Sequence, residues 1–379
     1  MFRLILYWKR LSEAKNTALP YSSIGFLEAL KHHHPEAFNS YIDTILNDDS
    51  LTDSEKVEHL AARTTYGIPV LAMALKLRLK DPCSSFFQKV SNSRLCKAAK
   101  EEALQARNKE GDSWLYTACQ DRDHQGIHEF IKLVSNSPLD EETKKELVKG
   151  KNRHNRSALF SAIVDGKTLT VVSYVRSILR SSLKESTKKE ILLEACAALN
   201  IALQKGDSST FNSLAIELQL GDLDDATTQE ILAAKDRFGN PGLAAAYNHG
   251  KRAAAESFIH FVLSSDLPGK VKVHLLSARD RNGVPWLFTR LERGYSKDII
   301  ASFIKLVLAS NLSLQEKREL LKAEHPDGRD GLTQALKYHP KQAEEAYVLP
   351  IQASKLDDTL KLELTAQAQA SKEIASPAA

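Results

Sequence analysis

The sequence predicts an all-α helical repeat protein, a solenoid of about eight units of roughly 44 residues each. Three observations predict it. A leucine returns at an almost fixed interval, glycines keep constant positions on either side of it, and a second apolar stretch follows at a constant distance. Periods of this length indicate stacked supersecondary units rather than one globule.

The leucines are Leu27, Leu71, Leu115, Leu159, Leu199, Leu243, Leu287 and Leu332, in steps of 44, 44, 44, 40, 44, 44 and 45 residues. Three residues on stand Ala74, Ala118, Ala162, Ala202, Ala246 and Ala335, with Leu30 and Arg290 as exceptions. Residues at i and i+3 share a helix face, and a small one lets a neighbouring helix approach closely. A first helix therefore runs through each anchor. Seven residues past it come Gly166, Gly206, Gly250 and Gly294, suited to a left-handed helix cap. Four residues before it come Gly67, Gly111, Gly239, Gly283 and Gly328, with Asn155 in one copy. Gly and Asn tolerate positive φ, so a turn precedes the helix.

The second apolar stretch begins about fifteen residues past the anchor, as in Tyr41-Ile-Asp-Thr-Ile-Leu, Phe130-Ile-Lys-Leu-Val and Phe303-Ile-Lys-Leu-Val-Leu. Its i, i+1, i+4, i+5 pattern is that of a buried helix stripe. Another leucine follows at 51, 95, 139, 183, 223, 267, 312 and 356 and introduces a third, shorter helix. Ser313 with Glu316 and Thr52 with Glu55 have the spacing of a capping box. One unit cannot bury its apolar faces alone, but stacked copies share a continuous core. The four-residue shortening before Leu199 has two readings, a third helix that runs nearly straight into the next unit or a deletion without consequence.

Three segments are expected. Residues 1–21 form an N-terminal capping helix or segment, 22–366 the repeats, and 367–379 a disordered tail that lacks bulky apolar residues. The apolar start is broken by Arg3 and closed by Lys9-Arg10, which does not fit a secretory signal. No apolar run approaches the ~18 residues that span a bilayer.

A hydrophobic share of 42% with 26% charged residues is that of an ordinary folded chain. The formal net charge of +4 does not mark a nucleic-acid binder. Cys83, Cys96, Cys119 and Cys196 are too scattered for a disulfide framework or a zinc site. In Lys31-His32-His33-His34 neighbouring rings point in different directions, so the run reads as a helix end rather than a metal site. Asp165-Gly-Lys-Thr168 ends like a phosphate-binding loop, but Ser161 stands where the loop needs glycine and Gly166 fills the repeat's own glycine slot. Cys119 and Cys196 lie in apolar helix patterns as small hydrophobes. No catalytic residue, cofactor or metal is expected.

Binding is expected from side chains that vary where the core does not. The turns supply Tyr66, Arg156, Phe238, Asn282 and Arg329, and the position before the anchor supplies Trp114 and Trp286. Trp and Arg dominate interface energetics. The competing reading of the two indoles is that they seal the gap between neighbouring units. The expected partner is a protein, not nucleic acid or membrane, and the chain is expected to be a monomer.

Asp236-x-x-Gly239-x-Pro241-x-Leu243-x-x-Ala246-x-x-x-Gly250 resembles the ankyrin consensus. The longer unit resembles the ankyrin-like repeat region of bacterial type III secreted effectors of the Shigella enterotoxin-2 and EspL type. The likeness is carried by Phe238-Gly-Asn-Pro-Gly-Leu, Asn282-Gly-Val-Pro-Trp-Leu-Phe, Phe303-Ile-Lys-Leu-Val-Leu, Asp327-Gly-Arg-Asp-Gly-Leu-Thr-Gln-Ala-Leu and Ala309-Ser-Asn-Leu-Ser-Leu-Gln-Glu-Lys-Arg-Glu-Leu-Leu-Lys-Ala-Glu. It implies a bacterial virulence protein, held in the bacterial cytoplasm before secretion and delivered into a host cell, that binds a host or bacterial protein without catalysis. In that group a cysteine-protease domain precedes the repeats, whereas here repeats begin near Ser22. The alternatives are the repeat part of such an effector lacking its catalytic domain, and a nucleic-acid-binding helical solenoid, which would need one-sided basic charge.

Overall fold

The computed structural model describes residues 35–64, 67–194, 196–221, 223–236, 239–294 and 297–375. The expected N-terminal segment, Leu27 and the histidine run lie outside them. Among the described residues the regular structure is helical, with isolated bridges at Arg63–Pro69, Lys235–Pro241 and Glu324–Asp330 and no strand.

The chain divides into two compact units. The first holds the chain up to Leu159 with Arg180–Ile191, the second Phe160–Leu179 with the chain from Leu192. In the first unit two full repeats run through Val70–Lys76, Lys80–Asn92 and Lys97–Gln105, then Trp114–Asp121, His124–Ser135 and Glu141–Lys149. Pro35–Leu46 and Asp53–Leu60 precede them. In the second unit the same three-helix order recurs as Cys196–Lys205, Ser208–Leu220 and Asp225–Leu232, as Gly242–Asn248, Arg252–Ser264 and Gly269–Ser277, and as Trp286–Arg293, Lys297–Ala309 and Leu314–Lys322. The last repeat begins with Gly331–Tyr338. The molecule is an all-α helical repeat protein.

Within each unit, helices pack on their counterparts in the next repeat. First helices meet first helices, as Cys196–Lys205 meets Gly242–Asn248. Second helices meet as Pro35–Leu46 with Lys80–Asn92, and third as Asp53–Leu60 with Lys97–Gln105. The described anchor leucines, from Leu71 to Leu332, are buried, as are the alanines three residues on. A column of rings fills the second layer: Phe86 and Phe130 in the first unit, and Tyr174, Phe258, Phe303 and Tyr347 in the second, all fully buried. Burying one such ring stabilises by about 1.5–3 kcal/mol.

The turn glycines and Asn155 have positive φ, as do Gly166, Gly206, Gly250 and Gly294. Arg78 and Arg122 occupy that second slot at φ 59° and 60°, so the stack imposes the left-handed conformation even without glycine. A third left-handed position, not foreseen, closes the third helices at Ala106, Gly150, Ala278 and Ala323.

Both expected capping boxes are present, at Thr52/Glu55 and Ser313/Glu316. A lysine device was not foreseen. Lys56, Lys100, Lys272 and Lys317 donate to the carbonyls of Leu46, Ser91, Leu263 and Leu308 at 3.1, 2.9, 3.2 and 3.1 Å. Each lysine of a third helix thus satisfies a carbonyl in the last turn of the second helix, where the dipole favours a cation.

At the shortened step Glu185–Glu194 ends one residue before Cys196–Lys205 begins. Of the tail expected from 367, residues up to 375 continue a helix, and 376–379 lie outside the described residues. Asp358–Ala375 is one helix, with Leu360, Leu364 and Ala368 buried at successive i+4 positions and helix-forming Ala, Gln, Lys and Glu continuing it.

A Cβ on Gly150 would lie 2.8 Å from Leu115 Cβ, whereas one on Gly250 would meet nothing within 4 Å, although both have positive φ. Gly150→Ala is expected to cost roughly 2–4 kcal/mol and Gly250→Ala about 1 kcal/mol in urea denaturation. Equal costs would show that backbone strain alone governs the two sites.

Candidate interaction surface

Six turns of one design link successive repeats. They are Thr64–Ile68, Asn108–Asp112, Asn152–Arg156, Asp236–Asn240, Asp280–Val284 and His325–Arg329. In each, the first residue's N–H donates to the fifth residue's carbonyl at 2.8–3.0 Å. Each first side chain also ties the loop. Thr64 Oγ1 accepts from the Ile68 N–H at 3.1 Å, Asn108 Oδ1 from Asp112 at 2.9 Å, and Asp280 Oδ1 from Val284 at 3.0 Å. These Asn, Asp, Thr and His residues stand seven before each anchor, a column that the sequence motif includes only at Asp236.

Basic side chains fasten one turn to the next. Arg63 donates to the Arg107 carbonyl at 3.4 Å and Arg107 to that of Lys151 at 3.1 Å, while Arg107 and Arg279 also tie their own turns, at the carbonyls of Gly111 at 2.7 Å and Gly283 at 2.8 Å. The aliphatic stem of the next turn's basic residue fills the space over a turn glycine. A Cβ on Gly67 would stand 2.9 Å from Lys109 Cδ, and one on Gly239 2.9 Å from Arg281 Cβ. Glycine is needed there for room as well as for φ.

Below the turns, the same groove occurs once in each unit. In the first it has a volume of about 680 Å³ and is lined by Ile68, Ala72, Lys76, Arg78, Ala106, Asn108, Trp114, Thr117, Ala118 and Asp121. In the second, at about 560 Å³, it is lined by Asn240, Ala244, Asn248, Gly250, Ala278, Asp280, Trp286, Thr289, Arg290 and Arg293. These ten positions of each lining correspond at a spacing of 172 residues, while Pro69 and Asp123 in the first and Tyr247, Val284 and Ile299 in the second have no counterpart. Two alanines, the tryptophan and the threonine persist. Lys76 gives way to Asn248, Ala118 to Arg290 and Asp121 to Arg293. The scaffold is constant and its charge is not.

Of the residues expected to contact a partner, Tyr66 and Phe238 lie outside the described residues. Arg156 and Asn282 are exposed on turns. Arg329 is partly committed within its own unit. It pairs with Asp327 at 2.8 Å and Glu292 at 3.3 Å, and lies 5.6 Å from the Phe288 ring centroid. Slight desolvation pushes the Asp327 carboxyl up, but hydrogen bonds from the Arg329 backbone and guanidinium outweigh it and bring it down to about 2.

Trp114 and Trp286 require correction. They are only 5% and 4% exposed. Trp286 Nε1 donates to the Leu276 carbonyl at 3.1 Å, and the indole stacks on Tyr247 at 4.4 Å and meets Phe303 edge-on at 4.9 Å. Trp114 lies 5.3 Å from Phe130. They seal the gap between repeats and line the grooves from within the core, so each turns at most an edge, and not the face of its indole, toward a groove.

A further cleft of about 560 Å³ lies between Lys80–Asn92 and His124–Ser135, with Cys83 on its floor. Burial, helped by Glu129, pushes that thiol up to about 12, the opposite of what a nucleophile needs. Cys119 is fully buried. Cys196 has no described side chain. Among the described residues no three His, Cys, Asp or Glu side chains gather as a metal site, and no helix is long and apolar enough to cross a membrane.

No family model matches the chain, and no curated protein matches it. Among solved structures, an ankyrin repeat protein is similar at 14% identity and a TM-score of 0.24, over 77% of this chain and 100% of that one.

Trp286→Ala is expected to destabilise by roughly 3–5 kcal/mol, whereas Arg156→Ala and Asn282→Ala should stay within about 0.5 kcal/mol of the parent. Chemical denaturation of the three variants checks this. A mild Trp286→Ala would mean that the ring is not a core element.

Proposed function

We propose that this chain is a non-enzymatic protein-interaction module that holds its partner along the turns and in the grooves beneath them. The observation that supports it is the repeated groove, whose architecture is constant across 172 residues while its lining changes charge. A surface kept in shape but altered in chemistry suits recognition of another macromolecule. A protein is favoured over nucleic acid. In the first groove Asp121 and Asp123 balance Lys76 and Arg78, and Glu324 and Asp327 interrupt the turn row of the second unit, so neither offers the one-sided basic charge that a run of phosphates needs.

The finer reading is a bacterial type III effector whose partner is a host or bacterial protein. It stands on the resemblance of the repeat motifs alone.

The test is affinity capture from bacterial and host-cell lysates after nuclease treatment, with the parent and three variants. A defined protein should be retained by the parent and lost with Asp121→Arg in a groove, or weakened by Arg156→Ala or Asn282→Ala on the turns. Capture that vanishes with nuclease, or that ignores all three substitutions, would overturn the reading.

A further inference from the structure

The groove of the second unit is set apart by Arg290. At its position the described repeats otherwise carry Ala74, Ala118, Ala162, Ala202, Ala246 and Ala335. Five of those alanines stack helix on helix with less than 3% of their surface exposed, and Ala118 with 4%. Arg290 is half-buried instead, and its guanidinium donates to the side-chain oxygen of Asn248 on the preceding repeat. Arg293 follows nearly one turn later on the same helix and is exposed at the rim. The stacked rings of Tyr247 and Trp286 lie beneath, 4.4 Å apart. Asp280 is the one carboxylate lining this groove, and its Oδ1 already accepts the N–H groups of Asn282 at 2.8 Å and Val284 at 3.0 Å. The matching positions in the first unit are Ala118 and Asp121, and there Lys76 and Arg78 are balanced by Asp121 and Asp123, so only the groove of the second unit carries a positive excess.

We propose that the groove of the second unit takes an acidic segment of a partner protein, with a carboxylate held by Arg290 and Arg293 and an adjoining apolar side chain placed against the edge of the Tyr247–Trp286 pair. This rests on the interaction-module reading and adds the partner's chemistry to it. Guanidinium groups bind carboxylates through paired, charge-assisted hydrogen bonds. Partial enclosure lowers the local dielectric and limits screening by salt. A groove of about 560 Å³ with two arginines matches one or two side chains and not the continuous charge of a nucleic-acid backbone.

The test is selection from a displayed library of short random peptides on the intact chain, followed by fluorescence-anisotropy titration of the selected peptides. A DNA duplex serves as the competing probe. The key variant is Arg290→Ala/Arg293→Ala. Arg290→Ala restores the residue that other repeats carry, so the fold is not challenged, and circular dichroism checks this. Selected peptides should be enriched in Asp and Glu. Their affinity should fall roughly tenfold or more in the double variant and with rising salt, and stay unchanged in Asp121→Asn in the first groove. Peptides without acidic enrichment, or indifferent to the double variant, would overturn the acidic-segment proposal and leave the interaction module standing. Duplex binding with no peptide recovered would overturn both.

Discussion

The structure depends on how closely the first helices of neighbouring repeats can approach. A leucine and, three residues later, an alanine face the next helix, and both are buried in nearly every described repeat. Larger side chains at the alanine position would force the helices apart at a cost of about 1–3 kcal/mol. This separation sets the reach of the turns, and the turns set where grooves can form. The second-layer rings follow from the same spacing. Phe130 meets Phe87 edge-on at 5.6 Å, and Phe258 meets Phe211 at 5.5 Å, distances available only once the first helices are seated.

The helix layers were legible because leucine, alanine and glycine each serve one physical need that recurs with the repeat. Glycine reported positive φ faithfully at its two recurring positions, four residues before and seven after the anchor. What stayed hidden was conformation imposed by the stack on other residues. Arg78 and Arg122 adopt the left-handed helix end, and Ala106, Ala278 and Ala323 do the same beneath the turns. Nothing in an arginine or an alanine announces that. The lysine device was visible as a column at 56, 100, 272 and 317, but a regular lysine among so many charged residues reads as a solvated face until its carbonyl is seen.

The tryptophans show why variability misled. The position before the anchor holds Val70, Trp114, Ala158, Gly242, Trp286 or Gly331, and such tolerance suggests exposure. Every one of these residues is buried. Volume is balanced locally instead. A Cβ on Gly242 would stand 2.5 Å from Asn200 Oδ1 and 2.6 Å from Leu203 Cδ1, because those side chains already fill the slot. At 286 the indole fills it and stacks on Tyr247. Close packing requires the sum to be constant, not each residue. Variation in a repeat protein therefore marks a surface only where no neighbour compensates for it.

That criterion separates Arg290 from the tryptophans. The neighbours that shrink as it grows, Asn248 for Lys76 and Gly250 for Arg78, line the groove and not the core, and its side chain leaves the helix interface for that groove, where it reaches Asn248. Its stem covers apolar surface while its charge stays near water, so the change adds charge without opening the core. The neighbouring Arg293 and the first unit's Asp121 alter charge at the rim, where substitution costs little stability. Recognition can thus change from repeat to repeat through a handful of groove positions while the leucine and alanine layers hold the geometry. A stacked fold separates these roles because its core lies between helices and its variable edge lies across them.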